Sequence, residues 1–198
     1  MASKLTKLNA VNIVLSNIGM APVTIIDNDN PMVSMASNII DEVSLSVQAE
    51  GWVFNTERAY PFTPNPTTKE IAIPNNVLAL DTDYSQTEDV IIRSGKLYDK
   101  RAHSYQFNRD QELNVVWVFD FDDIPEAFKS YIAMRSANLF AGRAVGSTEQ
   151  VKFGEREEAL ARAAMLQYET EQGDYNMLGT ADNRNTRTYR PSFASIRY

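Results

Sequence analysis

The sequence predicts an α+β fold: an antiparallel helical bundle of about four helices, a β-rich insertion between helices 2 and 3, and an extended C-terminal tail. Three observations predict it. Apolar residues recur at helical spacing in both outer thirds of the chain, the middle is punctuated by prolines and alternating residues, and the last stretch is basic and polar.

Helix 1 is expected from about Lys4 to Ile18. Leu8, Val11, Leu15 and Ile18 form its apolar stripe, Gly19 suits its end, and Pro22 blocks continuation. Helix 2 opens with Asn30 as N-cap and Pro31 at the first helical position, buries Ala36, Ile40, Val43 and Val47, and ends at Gly51. Residues 52–121 read differently, because Pro61, Pro64, Pro66 and Pro74 exclude long helices. Val90-Ile91-Ile92-Arg93 and Lys96-Leu97-Tyr98-Asp99, separated by Ser94-Gly95, read as a two-residue hairpin. Leu113, Val115, Trp117 and Phe119 alternate with Asn114, Val116, Val118 and Asp120, as in a strand with one buried face.

Helix 3 is announced by Asp123 as cap, with Pro125 in the first turn and Glu126 three residues on, and runs to Gly146. Phe128, Ile132, Leu139 and Phe140 make it apolar over more than half its circumference, which predicts a central position. Helix 4 follows a capping box at Ser147 and Gln150, carries Ala159, Leu160, Ala163 and Leu166 as its stripe, and stops near Gly173. The short connections predict two packed helical hairpins. The expected parts are therefore a hairpin over 1–51, the insertion over 52–121, a second hairpin over 122–179 and an arm over 180–198.

Composition narrows the function classes. The 198 residues are 43% hydrophobic and contain no cysteine, so disulfides, thiolate nucleophiles and thiolate metal sites are excluded. His103 is the one histidine, which excludes a clustered histidine metal centre within one chain. No cofactor is predicted. The first residues are interrupted by Asn9, Asn12, Ser16 and Asn17 and do not resemble a signal-peptide core. No apolar run is long enough to span a membrane, so a soluble chain from a reducing compartment is expected. Net charge is −7, but Arg184, Arg187, Arg190 and Arg197 against Asp182 give residues 180–198 a local +3 and the remainder −10. An acidic body argues against sequence-independent nucleic-acid binding.

Candidate chemistry is sparse. His103 has no elbow-type serine near it and reads as a surface or interface residue. Asp27-Asn28-Asp29-Asn30 and Asp81-Thr82-Asp83 open like calcium loops. However, Met32 and Asn38, then Gln86 and Ile92, stand where the glycine and closing glutamate belong, so turns and caps are expected. Asp120, Asp122, Asp123 and Glu126 are the best candidates for a glycosidase-like carboxylate pair, with Asp120 and Asp122 as the catalytic alternative. Capping explains Asp123 and Glu126 without a substrate. Trp52 and Trp117 sit in apolar runs and read as core rather than as sugar platforms.

Five segments together resemble the tail tubular protein A family of autographivirus-type short-tailed bacteriophages. They are LNAVNIVLSNIG (8–19) with Pro22-Val23, GWVFNTE (51–57), LYDK (97–100), DDIPEAFKSYIAMRSANLF (122–140) and YETEQGDYNML (168–178). Their order and spacing carry the likeness, and the residues after Leu178 match least well. The resemblance implies a non-enzymatic structural virion protein, made in the bacterial host cytoplasm. It implies a dodecameric ring of copies of itself that joins the portal protein to the tail nozzle protein (tail tubular protein B). Tail fibres attach near the junction and viral DNA passes through without specific binding. In that setting Arg184, Arg187, Tyr189, Arg190, Phe193, Arg197 and Tyr198 are the expected interface residues, being types enriched at interface anchors. The alternatives are a tail protein that also cleaves surface polysaccharide through Asp120 and Asp122, and an oligosaccharide-binding module using the two tryptophans.

Overall fold

A computed structural model of the chain describes residues 4–27, 29–82, 89–144, 146 and 148–173. It is an α+β structure with four helices and a β-rich insertion between helices 2 and 3. The described residues fall into two compact units, one taken from residues up to Val47 and from Asp120 onward, the other Gln48–Phe119.

In the helical unit, α1 spans Lys7–Ser16 and starts later than the apolar pattern suggested. Thr6 sets the start, because its side chain accepts from the Asn9 N–H at 3.3 Å. Ala10, Val11, Val14 and Leu15 are buried, whereas Leu8 and Ile18 of the expected stripe are half-buried. Gly19 takes φ 79° just past the helix, and the Met20 N–H bonds back to the Leu15 carbonyl at 3.1 Å. Helix α2 spans Pro31–Gln48. Asn30 caps it, accepting from the Met32 N–H at 3.1 Å, and Ala36, Ile40, Val43 and Val47 are all buried, as expected. Two ion pairs tie α2 to its neighbours, Lys7–Asp41 at 2.7 Å and a two-pronged Arg143–Glu42 pair at 2.7 and 2.9 Å.

Helix α3 spans Glu126–Ala144 and buries residues around most of its circumference, among them Phe128, Tyr131, Ile132, Ala137 and Phe140. Its central position is as expected, except that Leu139 is half-buried. Its start is not as expected. Asp123 lies inside a 3-10 turn, Phe121–Asp123, instead of capping the helix. Pro125 is the reason: it holds Ile124 extended at ψ 148°, so helical bonding begins only when the Pro125 carbonyl accepts from Phe128 and Lys129.

Helix α4, Thr148–Gln172, corrects a second expectation. Ala159, Leu160, Ala163 and Leu166 are exposed; the packed side carries Gly154, Glu158, Ala161, Met165, Tyr168 and Glu169. This face meets α3 through a largely polar seam. The Asn138 amide donates to Glu158 at 2.8 Å, Arg162 donates to the Tyr131 hydroxyl at 3.0 Å, and the Phe128 and Tyr168 rings lie 6.2 Å apart. Polar partners on α3 and a glycine at the contact override the simple apolar pattern. Ser147 and the Gln150 side chain lie outside the described residues, as does the arm over 180–198.

In the β unit, β1 (Thr56–Phe62), β2 (Val77–Thr82) and β5 (Gln111–Trp117) form an antiparallel sheet in the order β1-β5-β2. The hairpin pairs β3 (Val90–Arg93) with β4 (Lys96–Asp99), where the sequence put it. Ser94 and Gly95 both take positive φ, 53° and 71°, as a two-residue turn matched to strand twist requires. Phe62, Ile71, Ile73, Val77, Val90, Leu97, Phe107, Leu113, Val115 and Trp117 make the core. Because β5 is the middle strand, Val116 is buried too, and the strand stops before Phe119. Gln48 replaces a strand partner there, its amide donating to the Phe119 carbonyl at 3.0 Å and accepting from the Phe119 N–H at 2.8 Å. The edge strand β1 carries a bulge between Glu57 and Tyr60, with Pro61 beside it.

Gly154 supplies a test of the α3–α4 seam. A Cβ at this position would overlap the Asn138 side-chain oxygen. Helix propensity alone favours alanine by about 1 kcal/mol, so the sign of the change is informative. Gly154→Ala is expected to lower stability by about 1–3 kcal/mol in urea unfolding, and adding Asn138→Ala should recover part of that loss. A stabilised single variant would mean that the helices do not approach closely.

Candidate functional site

The acidic stretch 120–126 is the densest candidate for chemistry, and its geometry is set by the 3-10 turn before α3. Phe121 and Ile124 are buried and anchor the turn, which leaves Asp120, Asp122 and Asp123 exposed. Two of the acids in the stretch reach the start of α1. Asp122 Oδ1 accepts from the Lys7 N–H at 2.9 Å, and Glu126 Oε2 accepts from the Leu5 N–H at 3.0 Å. Lys7 is the first residue of α1, so Asp122 satisfies one of the N–H groups that a helix start leaves without an intrahelical partner. A carboxylate there also meets the positive end of the helix dipole.

Lys129 completes the arrangement from below. It is 2% exposed, and its ammonium donates to the Asp122 backbone carbonyl at 2.8 Å and to Glu126 Oε1 at 3.2 Å. Burying an ammonium is costly unless it is hydrogen-bonded and paired, and these contacts supply both. The Leu5 N–H holds Glu126 below the usual glutamate range, and the Lys129 and Lys4 charges act in the same direction. A lowered pKa suits a standing hydrogen-bond acceptor and opposes a proton donor in catalysis. The Asp120 carbonyl accepts from the Asp123 N–H at 2.9 Å, and its side chain makes no capping bond to the turn. The structure therefore brings Asp122 and Glu126 onto α1.

The remaining candidates resolve as follows. His103 is exposed, at φ 53° in the turn after β4. Trp52 and Trp117 are buried, as core residues should be. Asp27 accepts from the Asp29 N–H at 2.9 Å, a turn contact as expected. Asp81 and Thr82 are not in a turn: they end strand β2, paired with Asn114 and Leu113 of β5, and Asp83 lies outside the described residues. Among the described residues no group of three or more acids and histidines is placed to hold a metal ion. No described helix is long and apolar enough to cross a membrane. Arg184, Arg187, Tyr189, Arg190, Phe193, Arg197 and Tyr198 lie outside the described residues.

Two features escaped the sequence reading. The link from Asp122 and Glu126 to residues 5 and 7 spans more than a hundred positions and has no local signature; the i,i+3 spacing of Glu126 and Lys129 was its only visible part. The outward face of α4 is the other: Leu160 is 64% and Leu166 42% exposed.

Residues 8–175 match the sequence model of the family described as tail tubular protein. Tail tubular protein A of Klebsiella phage KP34 is 28% identical over 128 residues, covering 64% of this chain and 67% of that protein.

The carboxylate contacts predict an acid-labile fold. Glu126 has a folded-state pKa below its unfolded value of about 4.3, so its contribution is present above that value and is lost as pH falls through the lower one. Urea midpoints measured from pH 7 to pH 3 should fall more steeply for the native chain than for Glu126→Gln, which should start lower at neutral pH. Parallel curves would reject the role of this carboxylate.

Proposed function

The chain belongs to the tail tubular protein family, and from that premise we propose that it is the ring-forming adaptor between portal and tail nozzle, acting through contacts and without catalysis. Family membership makes it a structural component of a bacteriophage tail, and thus of the virion. The match over residues 8–175 is the single observation that carries the reading, since it takes in both units.

In the proposed assembly twelve copies close a ring through head-to-tail surfaces. The portal protein lies on one side, the nozzle protein on the other, and tail fibres attach near the junction. The chain is made in the host cytoplasm. Residues 180–198, with Arg184, Arg187, Tyr189, Arg190, Phe193, Arg197 and Tyr198, form the arm that reaches the portal. The acidic body suits a channel wall that DNA slides past, because like charges repel within a Debye length of about 8 Å at physiological salt. Asp122 is engaged with α1, which supports the non-catalytic reading of the acidic stretch.

Phage carrying a chain shortened by residues 180–198 should package DNA but fail to incorporate the protein into particles, as scored by mass spectrometry of purified virions. Normal incorporation would reject the arm. Separately, the native chain and an Asp120→Asn, Asp122→Asn variant should be equally inert on capsule, starch and peptidoglycan. Turnover lost in the variant would establish a hydrolase instead.

A further inference from the structure

We infer that the outer face of the β3–β4 hairpin, built on Arg93, Tyr98 and Tyr105, docks the acidic turn 120–123 of a neighbouring copy, so that copies join head to tail. This deepens the proposed function, since it names the partner of a surface on a tail protein, and it rests on the ring reading for its purpose.

The register of the hairpin divides its side chains between two faces. Arg93 stands opposite Lys96 and Ile91 opposite Tyr98, so these four share one side, while Val90, Leu97 and Asp99 are buried on the other. Lys96 is held on the outer side by Glu70, at 2.7 Å. Arg93 is exposed, and its guanidinium lies 4.0 Å from the centre of the Tyr98 ring. The Tyr98 and Tyr105 rings meet edge to face with centroids 4.8 Å apart. Packing on a ring reduces the freedom that a long side chain loses on binding, and it leaves a planar fork of donors that fits a carboxylate. Among the described residues Arg93 makes no ion pair, and the Tyr98 and Tyr105 hydroxyls make no hydrogen bond. Arginine and tyrosine are the types enriched where interfaces concentrate their binding energy.

Charge selects the occupant. Residues 89–105 carry +2 and residues 180–198 carry +3 in a chain of −7, so the remaining residues carry −12. Copies placed side by side repel unless a basic patch of one faces an acidic patch of the next. With the basic arm assigned to the portal, the hairpin face is the basic patch left for a neighbouring copy. Its counterpart is the turn before α3, where Asp120, Asp122 and Asp123 are exposed within four residues. Asp122 is engaged with α1, whereas Asp120 and Asp123 make no ion pair among the described residues. Buried Phe121 and Ile124 anchor this turn, so its carboxylates are presented without a loop to order. On α4, by contrast, the exposed Glu155 and Glu157 flank Arg156, which offsets them.

A basic patch that meets a different, acidic patch makes a heterologous contact. Each added copy leaves one hairpin face and one acidic turn free, and the series ends only when the ring closes. A patch that paired with itself would stop at two copies.

The absence of cysteine makes the test direct. Ala72 is exposed and bridges to Lys96 beside the outer face, and Asp123 is exposed on the turn. Virions whose full-length chain carries Ala72→Cys and Asp123→Cys, treated with a short bismaleimide, should yield a ladder of linked copies extending beyond the dimer. Either single variant should run as monomer. A dimer from a single variant would show a patch facing itself, thiols consumed within a monomer would show turn and hairpin meeting inside one copy, and an unlinked double variant would show them apart; each overturns the inference. Adding Arg93→Glu should lower the linked product per particle ~10-fold, through lost linking or lost incorporation, and adding Asp120→Arg as well should restore it. A ladder indifferent to Arg93→Glu, or no restoration, also overturns it. Both positions are exposed, and circular dichroism checks that each variant folds. A chain absent from virions would count against the tail reading alone, and the same linking read on the concentrated purified chain then decides the docking. A chain present in virions without a ladder would count against the docking alone.

Discussion

Two carboxylates at the start of α3 hold the start of α1, and the helical unit depends on that grip. The chain leaves this unit after Val47 and re-enters at Asp120, so its two halves are far apart in sequence. Asp122 and Glu126 bind the Lys7 and Leu5 N–H groups across that gap, while the buried Lys129 ammonium holds the Asp122 carbonyl and Glu126 in place. A helix start that would otherwise leave donors unsatisfied is completed by residues from the other half of the chain. The α2 ion pairs to Lys7 and Arg143 continue the same fastening on the far side. Removing the β unit from consideration, the helices still form a connected body.

This constraint also bears on function. The stretch with the highest density of acids looked most like an active site, and two of its acids are committed to backbone donors. Glu126, a committed acceptor with a lowered pKa, is a poor proton donor. The family makes the chain a structural tail protein, and the contacts of Asp122 and Glu126 are structural ones in keeping with that.

Local chemistry was legible in the sequence where neighbours within a few residues decide the structure. The Ser94-Gly95 turn, the Asn30 cap and the Gly19 terminus each follow from a few residues' dihedral and hydrogen-bond preferences, and each stands where expected. Distant partners erased legibility. The stripe at Leu160 and Leu166 looked like core because apolar spacing is blind to Tyr131 and Asn138, whose polar groups select the other side of α4. Phe119 looked like a strand residue because nothing local reveals that the Gln48 side chain takes over its pairing. Asp123 looked like a cap because Glu126 stands three residues on, but Pro125 holds Ile124 extended and moves the helix start past it.

The most direct measurement of the account is a side-chain-resolution electron cryomicroscopy map of the intact virion's neck. Density for this chain is expected as a closed ring between head and nozzle, with Asp122 and Glu126 turned onto residues 5–7 of their own copy. Absence of the chain from that map, or a bound saccharide between Asp120 and Asp122, would contradict it.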